Sequence, residues 1–211
     1  SYKNENTLPK YLFHRYRYEM FPLLYKVDYF PPYLQIEITS FCNFRCVFCY
    51  QTDNNLTEKN NGHMGHMTLY TFKNIIDQIA GNVEFISLAS RGEPLLCPQI
   101  EEMLAYTRNK FLNLKMNTNA SLLNESICHS ILQSGIKTIV FSADAAKEPE
   151  YSNYRVNGSL EKVLKNIEQF QNILCNHYKD SEIITRVSGV KYDDTQDIES
   201  MKSFWKEHVD Q

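Results

Sequence analysis

No apolar run in the 211 residues approaches the roughly 18 that a membrane-spanning helix needs. No signal segment built from a basic, an apolar and a small-residue region is visible at the N-terminus. Charge of one sign is not in excess: 22 Lys and Arg face 25 Asp and Glu, a formal balance of −3. That balance speaks against electrostatic capture of nucleic acid. Glycine and proline are sparse at 7 each, and no repeat or low-complexity linker divides the chain. With 43% hydrophobic residues, the length suits one globular domain with its own core. The 6 cysteines are unevenly spaced and do not form the pattern of a secreted disulfide framework. Clustered free thiols fit a reducing compartment, so a cytoplasmic location is expected.

Half of those cysteines stand together in Cys42-Asn43-Phe44-Arg45-Cys46-Val47-Phe48-Cys49, spaced C-x3-C-x2-C. Such a loop can wrap its thiolates onto one face of an iron–sulfur cluster or a soft metal. A structural zinc or a fully ligated cluster needs a fourth ligand at readable spacing, and the next cysteine, Cys97, is far along the chain. The spacing therefore points to a four-iron cluster with one iron left open.

Around this loop the apolar pattern alternates between two periods. Residues 1–32 form an N-terminal extension with helical spacing up to Tyr29, stopped by Pro31-Pro32 and expected to pack on the outside of the domain. Leu34, Ile36 and Ile38 alternate with Gln35 and Glu37, which predicts a strand over 33–39 running into the cysteine loop. Further strands are predicted at Val83–Ala89, Leu112–Met116, Lys137–Phe141 and Ile183–Val187. Helices are predicted after caps at Thr68, Asn124 and Ser159, with stops at Gly81 and Gly135, and also over Ile100–Tyr106 and from Ile198 to Val209. Residues 51–67 are polar; His63, Met64, His66 and Met67 there read as a lid or solvated loop in preference to a soft-metal site. Cys128 and Cys175 fall on helices as small buried hydrophobes, while Cys97 is nearer the expected active-site mouth. Strands alternating with helices predict a parallel α/β sheet with outer helices.

The stretch Cys42–Cys49 resembles the C-x3-C-x-(aromatic)-C signature of radical S-adenosylmethionine (SAM) enzymes, and the later strand ends carry further likenesses. Arg91-Gly92-Glu93-Pro94 resembles the family's Gly-Gly-Glu-Pro, with Arg91 in place of the first glycine. Thr118-Asn119-Ala120 is similar to a Thr-Asn-Gly, and Ser142-Ala143-Asp144 to a Ser-x-Asp stretch. Tyr151 to Arg155 resembles a Tyr-x3-Arg segment of the SPASM/twitch-like subgroup.

The resemblance implies a partial (β/α)6 barrel over residues 33–211. It also implies that the chain is part of a longer protein, with the sixth strand and any auxiliary domain lying beyond Gln211. Cys42, Cys46 and Cys49 would hold a [4Fe–4S] cluster whose open iron binds SAM. Phe48 would pack near the adenine, and Gly92, Glu93 and Pro94 would meet the amino group. Asn119, Ser142, Asp144 and Arg155 would contact ribose or carboxylate. Reductive cleavage would give a 5′-deoxyadenosyl radical that abstracts hydrogen from a substrate, with flavodoxin or ferredoxin as reductant. The subgroup points to a peptide or protein side chain and a maturase-type oxidoreductase. A carbohydrate or small-molecule dehydrogenase or epimerase is the alternative, and a non-catalytic iron–sulfur or zinc module is the alternative of another class. No membrane or nucleic-acid partner is expected, and no catalytic acid or base is identifiable.

Overall fold

The alternating segments become five parallel strands, and the helical segments return the chain between them. The computed structural model describes residues 7–89 and 91–211, the Lys59 side chain excepted. In chain order come α1 (Leu8–Leu23), β1 (Tyr33–Ile36), β2 (Arg45–Cys46), α2 (Asn54–Thr57) and α3 (Leu69–Ile79). Then follow β3 (Phe85–Leu88), α4 (Ile100–Thr107), β4 (Asn113–Thr118), α5 (Glu125–Gln133) and β5 (Ile136–Ser142). The last are α6 (Glu150–Tyr154), β6 (Arg155–Val156), α7 (Leu160–His177), β7 (Ile184–Ser188) and α8 (Ile198–Trp205). The main sheet has the order β1-β3-β4-β5-β7, every neighbouring pair parallel. This is the parallel α/β sheet with outer helices that the sequence predicts.

Local chemistry explains the boundaries. Thr68 accepts from Thr71 N at 3.1 Å, Asn124 from Ile127 N at 3.0 Å and Ser159 from Lys162 N at 3.3 Å. Each such cap is worth about 1 kcal/mol. Gly81 (φ 80°) and Gly135 (φ 86°) turn the chain after α3 and α5 in the left-handed region. One face of the sheet carries Ile36, Ile86, Leu88, Leu114, Met116, Ile139 and Phe141 into the core. The helices meet them with Phe72 and Ile76 of α3, Met103 and Leu104 of α4, Cys128 and Ile131 of α5, and Val163, Ile167 and Phe170 of α7. Burying each large side chain here stabilises by about 1.5–3 kcal/mol. The alternate residues, Gln35, Ser87, Lys115, Asn117, Thr138 and Arg186 among them, belong to the opposite, concave face of the sheet.

Three expectations change. The N-terminal helix ends at Leu23, not near Tyr29. Tyr25 takes a left-handed φ of 51°, and Lys26 N bonds Phe21 O at 2.9 Å, which closes the helix before the aromatic pattern runs out. Arg17 then folds the following segment back by pairing with Asp28 at 2.5 Å and Phe30 O at 2.9 Å. The helix buries His14 and Arg17 while Leu12, Phe13, Tyr16 and Tyr18 stay exposed. His14 stacks on Phe85 at 3.9 Å, at the N-terminal end of β3. Secondly, Cys175 is exposed, because it lies off the apolar stripe of α7; Cys128 is buried as expected. The 51–67 segment is not wholly loop, since it contains α2 and two short 3-10 turns. At the far edge, Gln211 N donates to Thr185 O at 3.2 Å and Val187 N to Gln211 O at 2.9 Å, the bonding pattern of a parallel neighbour to β7.

Candidate cofactor site

The cysteine loop leaves the C-terminal end of β1, and other parts of the chain fix it in place. β2, inside the loop, pairs antiparallel with β6, so that Cys46 faces Arg155 across a two-residue ladder. Val47 N adds a bond to Tyr154 O at 3.0 Å. Asn43, between the first two cysteines, donates to Ser121 Oγ at 2.8 Å and accepts from Asn119 Nδ2 at 2.9 Å. Asn119 Oδ1 in turn accepts from Ser121 N and Oγ, so the loop is tied to the end of β4. Gln51, 1% exposed, donates to Ser40 O at 2.9 Å and Arg91 O at 2.8 Å. It thereby joins both ends of the loop to the turn after β3.

That turn lies against the loop's entry. A Cβ on Gly92 would come within 2.2 Å of Thr39 O and 2.6 Å of Phe41 O, so only glycine permits the approach. Glu93 N donates to Phe41 O at 2.8 Å. The Glu93 carboxylate is buried and already engaged: Oε1 accepts from Leu95 N at 3.2 Å and Thr118 Oγ1 at 2.6 Å, and Oε2 from Asn119 N at 2.7 Å. Burial pushes its pKa up, against the pull of those three donors. Arg91 replaces the first glycine of the resembled motif, and its guanidinium holds Glu37 bidentately at 2.8 and 2.7 Å. Ser90 lies outside the described residues.

A cavity of about 210 Å³ opens where these pieces meet. Cys42 and Cys46 line it together with Gly92, Glu93, Asn119, Ser142 and Arg155. Gln35, Phe44, Ala89, Asn117 and Thr118 complete the wall. Four of the expected residues stand elsewhere. Pro94 is buried as the first residue of a 3-10 turn. Asp144 is fully buried behind Arg155, with Oδ2 2.6 Å from Arg155 Nε and Oδ1 accepting from Val190 N at 2.6 Å. Burial raises the Asp144 pKa, and the Arg155 charge opposes that rise. Phe48 lies off the cavity, 5.9 Å from the Tyr192 ring and with the Arg155 guanidinium 6.0 Å from its centroid. Cys49 caps the 3-10 turn that follows it, accepting from Gln51 N at 3.5 Å.

The donor set suits a thiolate-bound inorganic cluster. Phe44 N donates to Cys42 Sγ at 3.4 Å, and Arg155 Nη1 lies 3.8 Å from Cys46 Sγ, so sulfur charge would meet N–H donors. Burial raises the Cys42 pKa and pushes Cys46 up to about 11. Among the described residues no group of three His, Cys, Asp or Glu converges to hold one metal ion. His66 instead bridges Thr39 and packs its ring 4.8 Å from Phe41. Cys97 is buried with its sulfur 3.8 Å from Met103 Sδ and lies off the cavity. The cavity also suits a polar organic ligand: Asn117 Oδ1 is buried on its wall without a hydrogen-bond partner.

Gln35, Asn43, Gln51 and Asn117 went unnoticed in the sequence. Asn117 directly precedes Thr118-Asn119 at a strand end, and that adjacency was a usable signal. Gln51 carried none, because its partners are backbone carbonyls 11 and 40 residues away.

The description of the radical SAM superfamily matches residues 36–202. A GTP 3′,8-cyclase of Clostridium botulinum is 26% identical over 168 residues, covering 78% of this chain and 50% of the relative. An AdoMet-dependent heme synthase of Methanosarcina barkeri is 29% identical over 139 residues, covering 65% and 38%. Streptococcus suis SuiB, solved with its precursor peptide SuiA, superposes with TM-score 0.68 at 19% identity over 99% of this chain and 43% of that one. BtrN with AdoMet and 2-DOIA gives 0.52 at 17% identity over 76% and 58%. The chain spans about half the length of the first of these relatives, and less of the second.

Proposed function

The chain belongs to the radical SAM superfamily, and from that premise we propose that it is the catalytic core of an enzyme that modifies a peptide or protein side chain. The reading rests on one observation above the rest. Two cysteines of the loop, Gly92, Asn119, Ser142 and Arg155 come from five separate stretches of chain and line one cavity.

In this reading Cys42, Cys46 and Cys49 hold a [4Fe–4S] cluster, and SAM occupies the cavity beside it. When bound, the pair supplies one-electron cleavage of SAM and, through it, hydrogen-atom abstraction. The chain's own part is to position and to shield. Arg155 offers a planar fork to a carboxylate, and the buried Asp144 fixes the orientation of that fork. Asn117 and Ser142 offer polar partners from the ends of β4 and β5. Gly92 and the tied Glu93 set the backbone that faces the amino group. Asn43, Asn119 and Gln51 keep the loop in register with that wall.

The peptide preference draws on the likeness to SuiB, which was solved with a precursor peptide, over nearly the whole chain. The curated relatives named for GTP and heme chemistry keep a small-molecule substrate as the second reading. A flavodoxin or ferredoxin is the proposed reductant, and a reducing cytoplasm the proposed setting. Among the described residues no helix is long and apolar enough to cross a membrane.

Anaerobic reconstitution of the full-length protein tests the core of this. With dithionite and SAM, the wild type is expected to form 5′-deoxyadenosine and Cys46→Ala to form none. Product from the cysteine variant would refute the cluster assignment.

A further inference from the structure

Two cations share the concave face of the sheet, and neither is paired with a carboxylate among the described residues. Strand pairing places Lys115 of β4 in one row with Gln35, Ser87 and Thr138. The next row toward the strand ends carries Asn117, Val140 and Arg186. Leu114, Met116 and Thr185 point to the helix side, buried, so alternation puts Lys115 and Arg186 on the concave face. Gln35 and Asn117, one from each row, line the cofactor cavity. The cations thus occupy the same two rows as the cavity wall.

Neither has an ion-pair partner among the described residues. Glu37, directly after β1, is already held bidentately by Arg91. Lys115 and Arg186 are near enough to repel: burial first, and then the Arg186 charge, lower the pKa of Lys115. Lys115 is half-buried and Arg186 exposed, and like charges within reach of each other oppose folding. A third, negative group entering the lumen would turn that repulsion into attraction for both.

We propose that Lys115 and Arg186 form an oxyanion subsite in the lumen, which holds a carboxylate or phosphoryl group of the substrate beside the cofactor cavity. The subsite rests on the reading that the lumen receives substrate. It narrows the substrate to an acidic one: a peptide with an Asp, Glu or terminal carboxylate, or a phosphorylated small molecule. Arg186 supplies the planar fork and Lys115 a point charge two strands away on the same face of the sheet. Gln35 and Ser87 offer neutral hydrogen bonds in the same row.

The test is lysine labelling of the full-length, anaerobically reconstituted protein with an acetylating reagent, read by mass spectrometry. Inorganic phosphate and glutarate are the probes, and Lys162 and Lys165, exposed on α7, are internal references. At a probe concentration about four times its Kd, Lys115 labelling should slow roughly fivefold while the references do not change. Arg186→Gln should lose most of that protection while retaining the cluster absorbance that reports a folded holoprotein. Protection by phosphate alone assigns a phosphoryl group; protection by glutarate alone or by both assigns a carboxylate. Labelling indifferent to both probes, or protection unchanged in Arg186→Gln, overturns the subsite. A protein that forms 5′-deoxyadenosine without protection refutes the subsite and leaves the catalytic reading standing. Protection in a protein unable to cleave SAM does the reverse.

Discussion

Replacing Gln51 tests how the cysteine loop is held. Its amide nitrogen gives its two hydrogens to Ser40 O and Arg91 O, at 2.9 and 2.8 Å, in a site 1% exposed. Gln51→Ala removes two buried hydrogen bonds worth about 1 kcal/mol each net. It also removes one methylene from packing, at about 0.8 kcal/mol. The expected loss is about 3 kcal/mol, less where water reaches the two carbonyls. Gln51→Glu keeps the shape and reverses the chemistry. A carboxylate would face two carbonyl oxygens with only the Tyr50 hydroxyl, 3.0 Å from the Gln51 amide nitrogen, able to donate to it, so it must take up a proton or leave the site. Its expected cost is larger, about 4 kcal/mol, within the range for an uncompensated buried charge. Guanidinium unfolding of the apoprotein at neutral pH measures both. Iron and sulfide content after anaerobic reconstitution then shows whether the loop still gathers its three thiols. The order wild type, alanine, glutamate is the prediction. Gln51→Glu within about 1 kcal/mol of wild type would refute the account, since no arrangement of a carboxylate satisfies those carbonyls.

Glu93 should make stability fall as pH rises. Its folded pKa is raised above the model-compound 4.5 by burial, so its contribution is complete below pH 4.5 and is lost as pH climbs through the folded value. Glu93→Gln should flatten that part of the stability profile of the apoprotein. It should also cost about 1–3 kcal/mol at acidic pH, because an amide cannot accept at both Thr118 and Asn119. An unchanged slope would count against the buried carboxylate. Ala120 holds a left-handed φ of 60° at a buried position. Ala120→Gly relieves about 1–2 kcal/mol of that conformation but gives up a methyl worth about 0.8 kcal/mol and raises chain entropy by about 0.4–1 kcal/mol. Near-neutrality within about 1 kcal/mol in chemical unfolding is expected, and a loss well beyond that would mean that Ala120 carries no strain.

The alternation of apolar residues was enough to place five strands and their helices, because a half-buried strand and an amphipathic helix each need only a local period. It misjudged ends that depend on single backbone states. Tyr25 adopts a left-handed conformation that its side chain does not announce, and α1 stops there. It also misjudged Cys175, whose exposure is set by where the stripe of α7 meets α5 and the sheet. Of the residues that the sequence singles out in short spacings, Cys42, Cys46, Gly92, Glu93, Asn119, Ser142 and Arg155 line one cavity, while Cys49 stands off it.

What the sequence by itself determined is therefore the parallel α/β order and a thiol loop at the end of its first strand. Both follow from the period and spacing of side chains close together in the chain. Tertiary structure alone decided how those residues divide the work. Glu93 and Asp144 read as ligand-facing carboxylates, yet the fold engages both with partners of its own, because a buried carboxylate must find donors wherever they lie. Gln51 and Asn43 read as nothing, yet they tie the cysteine loop, because their partners come from distant turns. Lys115 and Arg186 are unremarkable 71 residues apart in the chain, and only strand register sets their two charges in one lumen.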